Sequence, residues 1–264
     1  MTCGGVTQAR TEPDPKVRDG RDLIPRLMQR RRTTQRGTRG EIRVPSRGAF
    51  SSLVDRVTGR ARRQPAPARD APASKPVFHE NWFPREKAEA TLAAAELAPR
   101  EGDCIEVGCW EGRSTVLLAN ALYPRTLHVI DHFEGDATRP DSHLTTTARE
   151  RDVQAVFVNN MESLTRGNYV LHVMGWRDFF KTYTGRIGFI HIDGEHTYRE
   201  VHDNVVVASP HMVPNGVMCG DDYGRRPVRR ALRETLGEVS NRKATWWWQA
   251  PPASAATSAE SDRN

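Results

Sequence analysis

The sequence predicts an α/β protein, an open and mostly parallel Rossmann-like sheet with helices on both faces. Three observations carry that expectation. Short apolar runs alternate with longer helical segments from Pro84 to Trp248. The runs Cys104 to Val107 and Ile187 to Ile192 are nearly continuous in apolar residues, as parallel strands covered on both sides must be. The first of these runs passes straight into a glycine turn, with Gly108 turning the chain and Gly112 opening the next helix.

Taken in order, the pattern predicts a helix over Pro84–Leu97, a strand over Cys104–Val107, a helix over Gly112–Leu122 and a strand over Thr126–Asp131. A loop containing Gly135, Pro140 and several threonines precedes a helix over Ala148–Leu164. A strand over Tyr169–Met174, a short helix over Trp176–Tyr183 and a strand over Ile187–Ile192 follow. A helix over Tyr198–Ala208, a strand over Val217–Gly220, a helix over Pro227–Leu236 and a strand over Ala244–Trp248 complete the domain. Phe179 and Phe180 read as core, and Trp246 to Trp248 as a strand whose alternate faces pack the helices.

Charge separates this domain, residues 76–250, from its flanks. Residues 1–75 hold 18 Lys and Arg against 7 Asp and Glu, so the chain's net charge of +6 resides in that segment and the remainder is acidic. The segment is rich in Arg, Pro, Gly and Ser and poor in apolar residues, which predicts a disordered basic tail. Residues 251–264, rich in Ala, Ser and Pro, read as a second disordered tail. A basic pI confined to a tail gives no reason to expect a nucleic-acid partner. Cys3, Cys104, Cys109 and Cys219 show no paired C-x-x-C spacing, which argues against a zinc site or a disulfide framework. No run of about 18 apolar residues and no signal-peptide pattern is present, and the expected location is the cytoplasm.

In open parallel sheets ligands bind beyond the carboxyl ends of the strands, so those ends carry the functional expectations. The loop Ile105 to Thr115, IEVGCWEGRST, lacks the G-x-G-x-x-G of dinucleotide folds and exposes fewer amides to a pyrophosphate, which suits an adenosine ligand without phosphates. Asp131 ends the second strand, where a carboxylate can accept hydrogen bonds from ribose hydroxyls or cap a turn. Trp176, after Gly175, can lie along an adenine ring. Asp193 in IGFIHIDGEHTY and Asp221 with Asp222 in GVMCGDDYG fall at two strand ends that should be neighbours. Three close carboxylates repel unless a cation lies between them, and hard oxygen ligands select Mg²⁺ or Mn²⁺; alternatively, Asp222 caps the helix that follows. His196, three residues past Asp193, is placed to act as a general base or to sit solvated at a helix N-terminus. His191, inside an apolar strand, reads as a core residue.

With these motifs in hand, EVGCWEGRS resembles the loop of the catechol O-methyltransferase-like enzymes. HIDGEHTY and GDDYG are similar to the related bacterial metal-dependent methyltransferases of sugars and macrolides, a methyltransferase family 24-like group. The resemblance covers about Asn81 to Trp248. It implies a class I methyltransferase fold, with S-adenosyl-L-methionine and Mg²⁺ (or Mn²⁺) as cofactors; the family's sheet normally ends in an antiparallel hairpin of two strands, for which the C-terminal part of this chain is short. It further implies that Glu106, Gly108, Trp110, Gly112 and Ser114 line the methionine part of the cofactor, that Asp131 holds the ribose, and that Trp176 and Arg177 border the adenine. Asp193, Asp221 and Asp222 would hold the metal. Catechol-type enzymes carry a lysine at the position of His196 and an asparagine at that of Asp222, so the chain resembles the sugar-methylating relatives more and His196 becomes the expected catalytic base. The implied activity is methylation of a hydroxyl on a small molecule of secondary metabolism, such as a sugar, polyketide or catechol-like natural product. An NAD-dependent Rossmann oxidoreductase and an inactive methyltransferase-like binding protein are the alternatives. A small-molecule substrate is the expected partner, with no membrane, and homo-oligomerisation is left open.

Overall fold

A computed structural model describes residues 75–253 except residue 137. The tails expected over 1–75 and 251–264 therefore lie, apart from Lys75 and residues 251–253, outside the described residues. The elements run α1 (Arg85–Leu97), β1 (Asp103–Val107), α2 (Arg113–Leu122), β2 (Leu127–Asp131), α3 (His143–Glu150), α4 (Val153–Leu164), β3 (Tyr169–Val173) and α5 (Trp176–Thr182). They continue with β4 (Ile187–Ile192), α6 (Tyr198–Ala208), a 3₁₀ turn (Ser209–His211), β5 (Met212–Gly220), α7 (Arg226–Thr235), β6 (Ser240–Arg242) and β7 (Thr245–Gln249).

The seven strands form one sheet in the order β3-β2-β1-β4-β5-β7-β6. The first five are parallel; β7 returns antiparallel to β5, and β6 pairs antiparallel with β7. The chain reverses its direction of winding between β1 and β4, and that reversal opens a crevice at the carboxyl end of the sheet.

Strand alternation assigns the two faces. On one side α1, α2 and α4 cover Cys104, Leu127, Val129, Phe189, Val217, Cys219 and Trp247. On the other α5, α6 and α7 cover Ile105, Val107, Ile130, Ile190, Ile192, Met218 and Trp246. Trp246 and Trp247 thus enter opposite layers, and Phe179 and Phe180 are buried, as the pattern predicts.

Three local differences from the sequence reading have physical causes. The helix expected over Ala148–Leu164 is two helices, because Ser142 caps α3 through Thr145 N and Asp152 starts α4 by accepting from Ala155 N. The strand expected from Val217 begins at Met212, with Asn215 in the left-handed region and a register shift against β4 where the chain bends. The short β6, absent from the periodicity reading, supplies the hairpin that the family resemblance implies. Among the described residues no helix is long and apolar enough to cross a membrane.

Trp246 is among the largest fully buried side chains and sits on the antiparallel return strand. Trp246→Ala should lower the unfolding free energy by about 3–5 kcal/mol, read from urea denaturation. A loss below about 1 kcal/mol would mean that β7 is not part of the cooperative core.

Candidate active site

The loop after β1 is built by backbone constraint. Gly108 and Gly112 both have φ +82°, and Trp110 between them has φ +50°. A Cβ on Gly108 would lie 2.6 Å from the Asp193 carbonyl oxygen, so only glycine lets the loop close on the end of β4. Asp193 N donates to Val107 O at 2.8 Å and ties the two strand ends from the other side. Gly112 begins α2 with its open side against Phe157.

Asp131 fixes this loop. Its Oδ2 accepts from Cys109 N at 2.8 Å and Trp110 N at 3.0 Å, and its Oδ1 accepts from Phe133 N at 2.8 Å. Three amides converge on one carboxylate, the turn-capping alternative from the sequence. A carboxylate has about four lone-pair sites, so capacity remains for one further donor from the cavity.

A cavity of about 690 Å³ runs from this loop to the ends of β4 and β5. That is within the range of about 300–1,000 Å³ of small-molecule sites. Among the residues expected for a cofactor, Gly108, Trp110, Ser114, Asp131, Trp176 and Arg177 line it. Glu106 and Gly112 do not, which corrects the sequence expectation. Glu106 shares the β1 face of Cys104, so its side chain enters the layer beneath α1, fully buried, with Oε1 3.1 Å from His191 Nδ1. His191 is buried, as expected, but only its Nδ1 has a partner; Nε2 is buried without one, so it is not the fully satisfied core residue expected.

At the adenine end expected from the sequence, Glu200 of α6 organises the wall. Its Oε2 accepts from Trp176 Nε1 at 3.0 Å and Arg177 Nη1 at 2.9 Å, while the guanidinium lies 4.2 Å from the Trp176 ring centre.

The other end gathers the acidic residues. Because β4 and β5 are parallel with Ile192 opposite Gly220, Asp193, Asp221 and Asp222 emerge together. Lys87 of α1 places its ammonium against Asp221 Oδ2 and 3.7 Å from Asp222 Oδ1. His196 Nε2 is 3.3 Å from Asp193 Oδ1, and Nδ1 is 3.6 Å from Asp222 Oδ2. Arg225 Nε reaches Asp222 Oδ2 at 2.5 Å. Asp222 does not cap α7 with its side chain: the cap position is Arg225, without a side-chain hydrogen bond.

Protonation follows from this crowding. Burial and the neighbouring Asp193 charge push the Asp221 carboxyl up to about 6 against the pull of Lys87. Burial opposes charge on His196, but the hydrogen bond to Asp193 and the charges of Asp222 and Asp221 outweigh it and raise the imidazole. Burial likewise opposes charge on Lys87, and Asp221 overcomes it, so the amine remains an ammonium.

Among the described residues no group of three or more His, Cys, Asp or Glu side chains is drawn tightly enough together to enclose a metal ion. The donor set nonetheless fits a hard divalent cation: all three candidate ligands are carboxylates, and Asp221 Oδ1 is buried without a hydrogen-bond partner.

Lys87, Glu111, Glu200 and the segment Phe78–Phe83 were not singled out by the sequence reading. Glu111 accepts from His79 N at 2.6 Å and lies 2.7 Å from Arg151 Nη2, fastening the segment before α1 to the loop. A signal for Lys87 did exist: it stands four residues from both Phe83 and Thr91, which are buried, so a charged side chain interrupts an apolar stripe.

Asp131→Ala should cost about 1–3 kcal/mol of stability without any ligand, because buried amides lose their acceptor; chemical denaturation reads this. Unchanged stability would leave Asp131 a purely ligand-binding role.

Residues 105–223 match a family described as a methyltransferase domain. The fold is similar to the O-methyltransferase NovP, at 18% identity over 76% of this chain and 96% of that one, with a TM-score of 0.51. Similarity extends to CalS11, a calicheamicin methyltransferase (13% identity, 94% of this chain, 99% of that one, TM-score 0.47). A cofactor-bound protein, Rv0187 from MTB, matches at 14% identity, over 92% of this chain and all of that one, with a TM-score of 0.45. No curated protein sequence matches significantly.

Proposed function

We propose that this chain, whose residues 105–223 match a methyltransferase domain, uses S-adenosylmethionine to methylate a hydroxyl oxygen of a small molecule with the help of Mg²⁺ or Mn²⁺. The observation that carries this reading is the single cavity joining the glycine loop to the cluster of Asp193, His196, Asp221 and Asp222. One end suits a nucleoside with an amino-acid tail, the other an acceptor hydroxyl that must lose a proton.

In this reading Gly108, Trp110 and Ser114 line the methionine part, the free capacity of Asp131 meets the ribose, and Trp176 and Arg177 border the adenine. Asp193, Asp221 and Asp222 would hold the divalent cation, which when bound supplies positive charge where the acceptor oxygen becomes anionic. His196 takes the proton from the hydroxyl as the C–O bond forms and the C–S bond breaks, leaving a neutral thioether. The cavity walls would orient the acceptor toward the methyl group and keep water from the reacting atoms. A sugar, polyketide or catechol-like acceptor with two neighbouring oxygens fits a cation of this kind best.

The contact of Lys87 with Asp221 favours a second reading, methyl transfer in which a fixed ammonium supplies the charge and no metal is needed. Calorimetry separates the two. Mg²⁺ titrated into protein saturated with S-adenosylhomocysteine should bind at one site, and Asp221→Asn should abolish the isotherm while leaving S-adenosylhomocysteine bound; cofactor binding without metal binding supports the second reading. His196→Ala should lower turnover by about 10²-fold or more with the S-adenosylhomocysteine Kd nearly unchanged, and equal loss of both would remove His196 as the base.

A further inference from the structure

We propose that Lys87 is the resident counter-cation of the acidic cluster and that a divalent metal enters this site by displacing it, so that Lys87 sets how tightly the protein holds its metal. The inference rests on the reading of Asp193, Asp221 and Asp222 as metal ligands, and concerns a residue on α1 outside that set.

Lys87 contacts the two carboxylates that β5 contributes, Asp221 directly and Asp222 at 3.7 Å. The other cations at the cluster are engaged elsewhere: Arg225 pairs with Asp222, and His196 lies between Asp193 and Asp222. Asp221 is 5% exposed and Lys87 19% exposed, so water screens their attraction poorly. The second oxygen of Asp221 is buried without a partner, which leaves that carboxylate able to take another cation on one side while Lys87 holds the other. A dication bound there and an ammonium on the same carboxylate repel at close range.

The helix cannot retreat to relieve that repulsion. Ala88, Leu92 and Ala95 of α1 are packed into the core beneath it. The Lys87 side chain can move, because it lines the cavity and has four carbons of flexible stem. Metal-free, the carboxylates are partly offset by Lys87; metal-loaded, Lys87 withdraws from Asp221 into the cavity that it lines.

The test titrates Mn²⁺ into the metal-free full chain as wild type, Lys87→Met and Lys87→Arg, with S-adenosylhomocysteine binding measured separately on each. Lys87→Met should bind Mn²⁺ at least about tenfold more tightly than wild type, and Lys87→Arg, which keeps the charge, should show no such gain. If Lys87→Met loses stability when metal-free, Mn²⁺ should raise its Tm by more than it raises that of wild type. Equal or weaker Mn²⁺ binding by Lys87→Met, with wild type binding normally, would overturn the displacement while leaving the metal site intact. Absence of Mn²⁺ binding in all three proteins would overturn both, and retained S-adenosylhomocysteine binding would still leave a metal-independent methyltransferase.

Discussion

Parallel pairing of β4 with β5 sets Ile192 opposite Gly220 and brings three aspartates to neighbouring strand ends, where their like charges must be offset before the strands can lie side by side. The fold meets that demand from several directions. Lys87 reaches in from α1, Arg225 from the start of α7, and His196 from the loop before α6. Three elements that share no strand are therefore held to the carboxyl end of the sheet by one electrostatic requirement, and the cavity takes its shape from their meeting.

The glycine loop depends on the same strand ends. Gly108 packs against the Asp193 backbone, so the loop's position is fixed by the strand that carries the first acidic residue. Asp131 then gathers the amides of Cys109, Trp110 and Phe133, and Glu111 fastens the segment before α1 across the loop. A shift at the end of β4 would reach the glycine loop through the backbone approach of Gly108 to Asp193 and the bond from Asp193 N to Val107 O. The loop and the strand ends are thus held in place by the fold itself, which is what a reaction that depends on alignment asks of a site.

The fold was legible in the sequence because parallel strands must be apolar on both faces, and Ile187–Ile192 has all six residues buried. The convergence of Asp193 with Asp221 and Asp222 was legible for the same reason, since strand ends in a known order have known neighbours. Glu106 was misplaced because a motif position says nothing of which face its side chain takes; alternation along β1 turns it toward His191. The break at Arg151 between α3 and α4 was hidden by an unbroken helical composition, with the Asp152 cap as its only sign. Lys87, distant in sequence from every motif, showed there only as a charge four residues from Phe83 and Thr91, and its place at the acidic cluster required α1 to be folded over β5. The family match displaces the oxidoreductase alternative, and the missing G-x-G-x-x-G had already argued against it.

The most direct test of the cation-site account is a crystal structure of the full chain grown with Mn²⁺ and S-adenosylhomocysteine, with diffraction recorded at the manganese edge. An anomalous peak coordinated by Asp193, Asp221 and Asp222, with the Lys87 ammonium withdrawn from Asp221, is the predicted result. Cofactor density at the glycine loop with no anomalous peak at the cluster, and Lys87 still on Asp221, would contradict it.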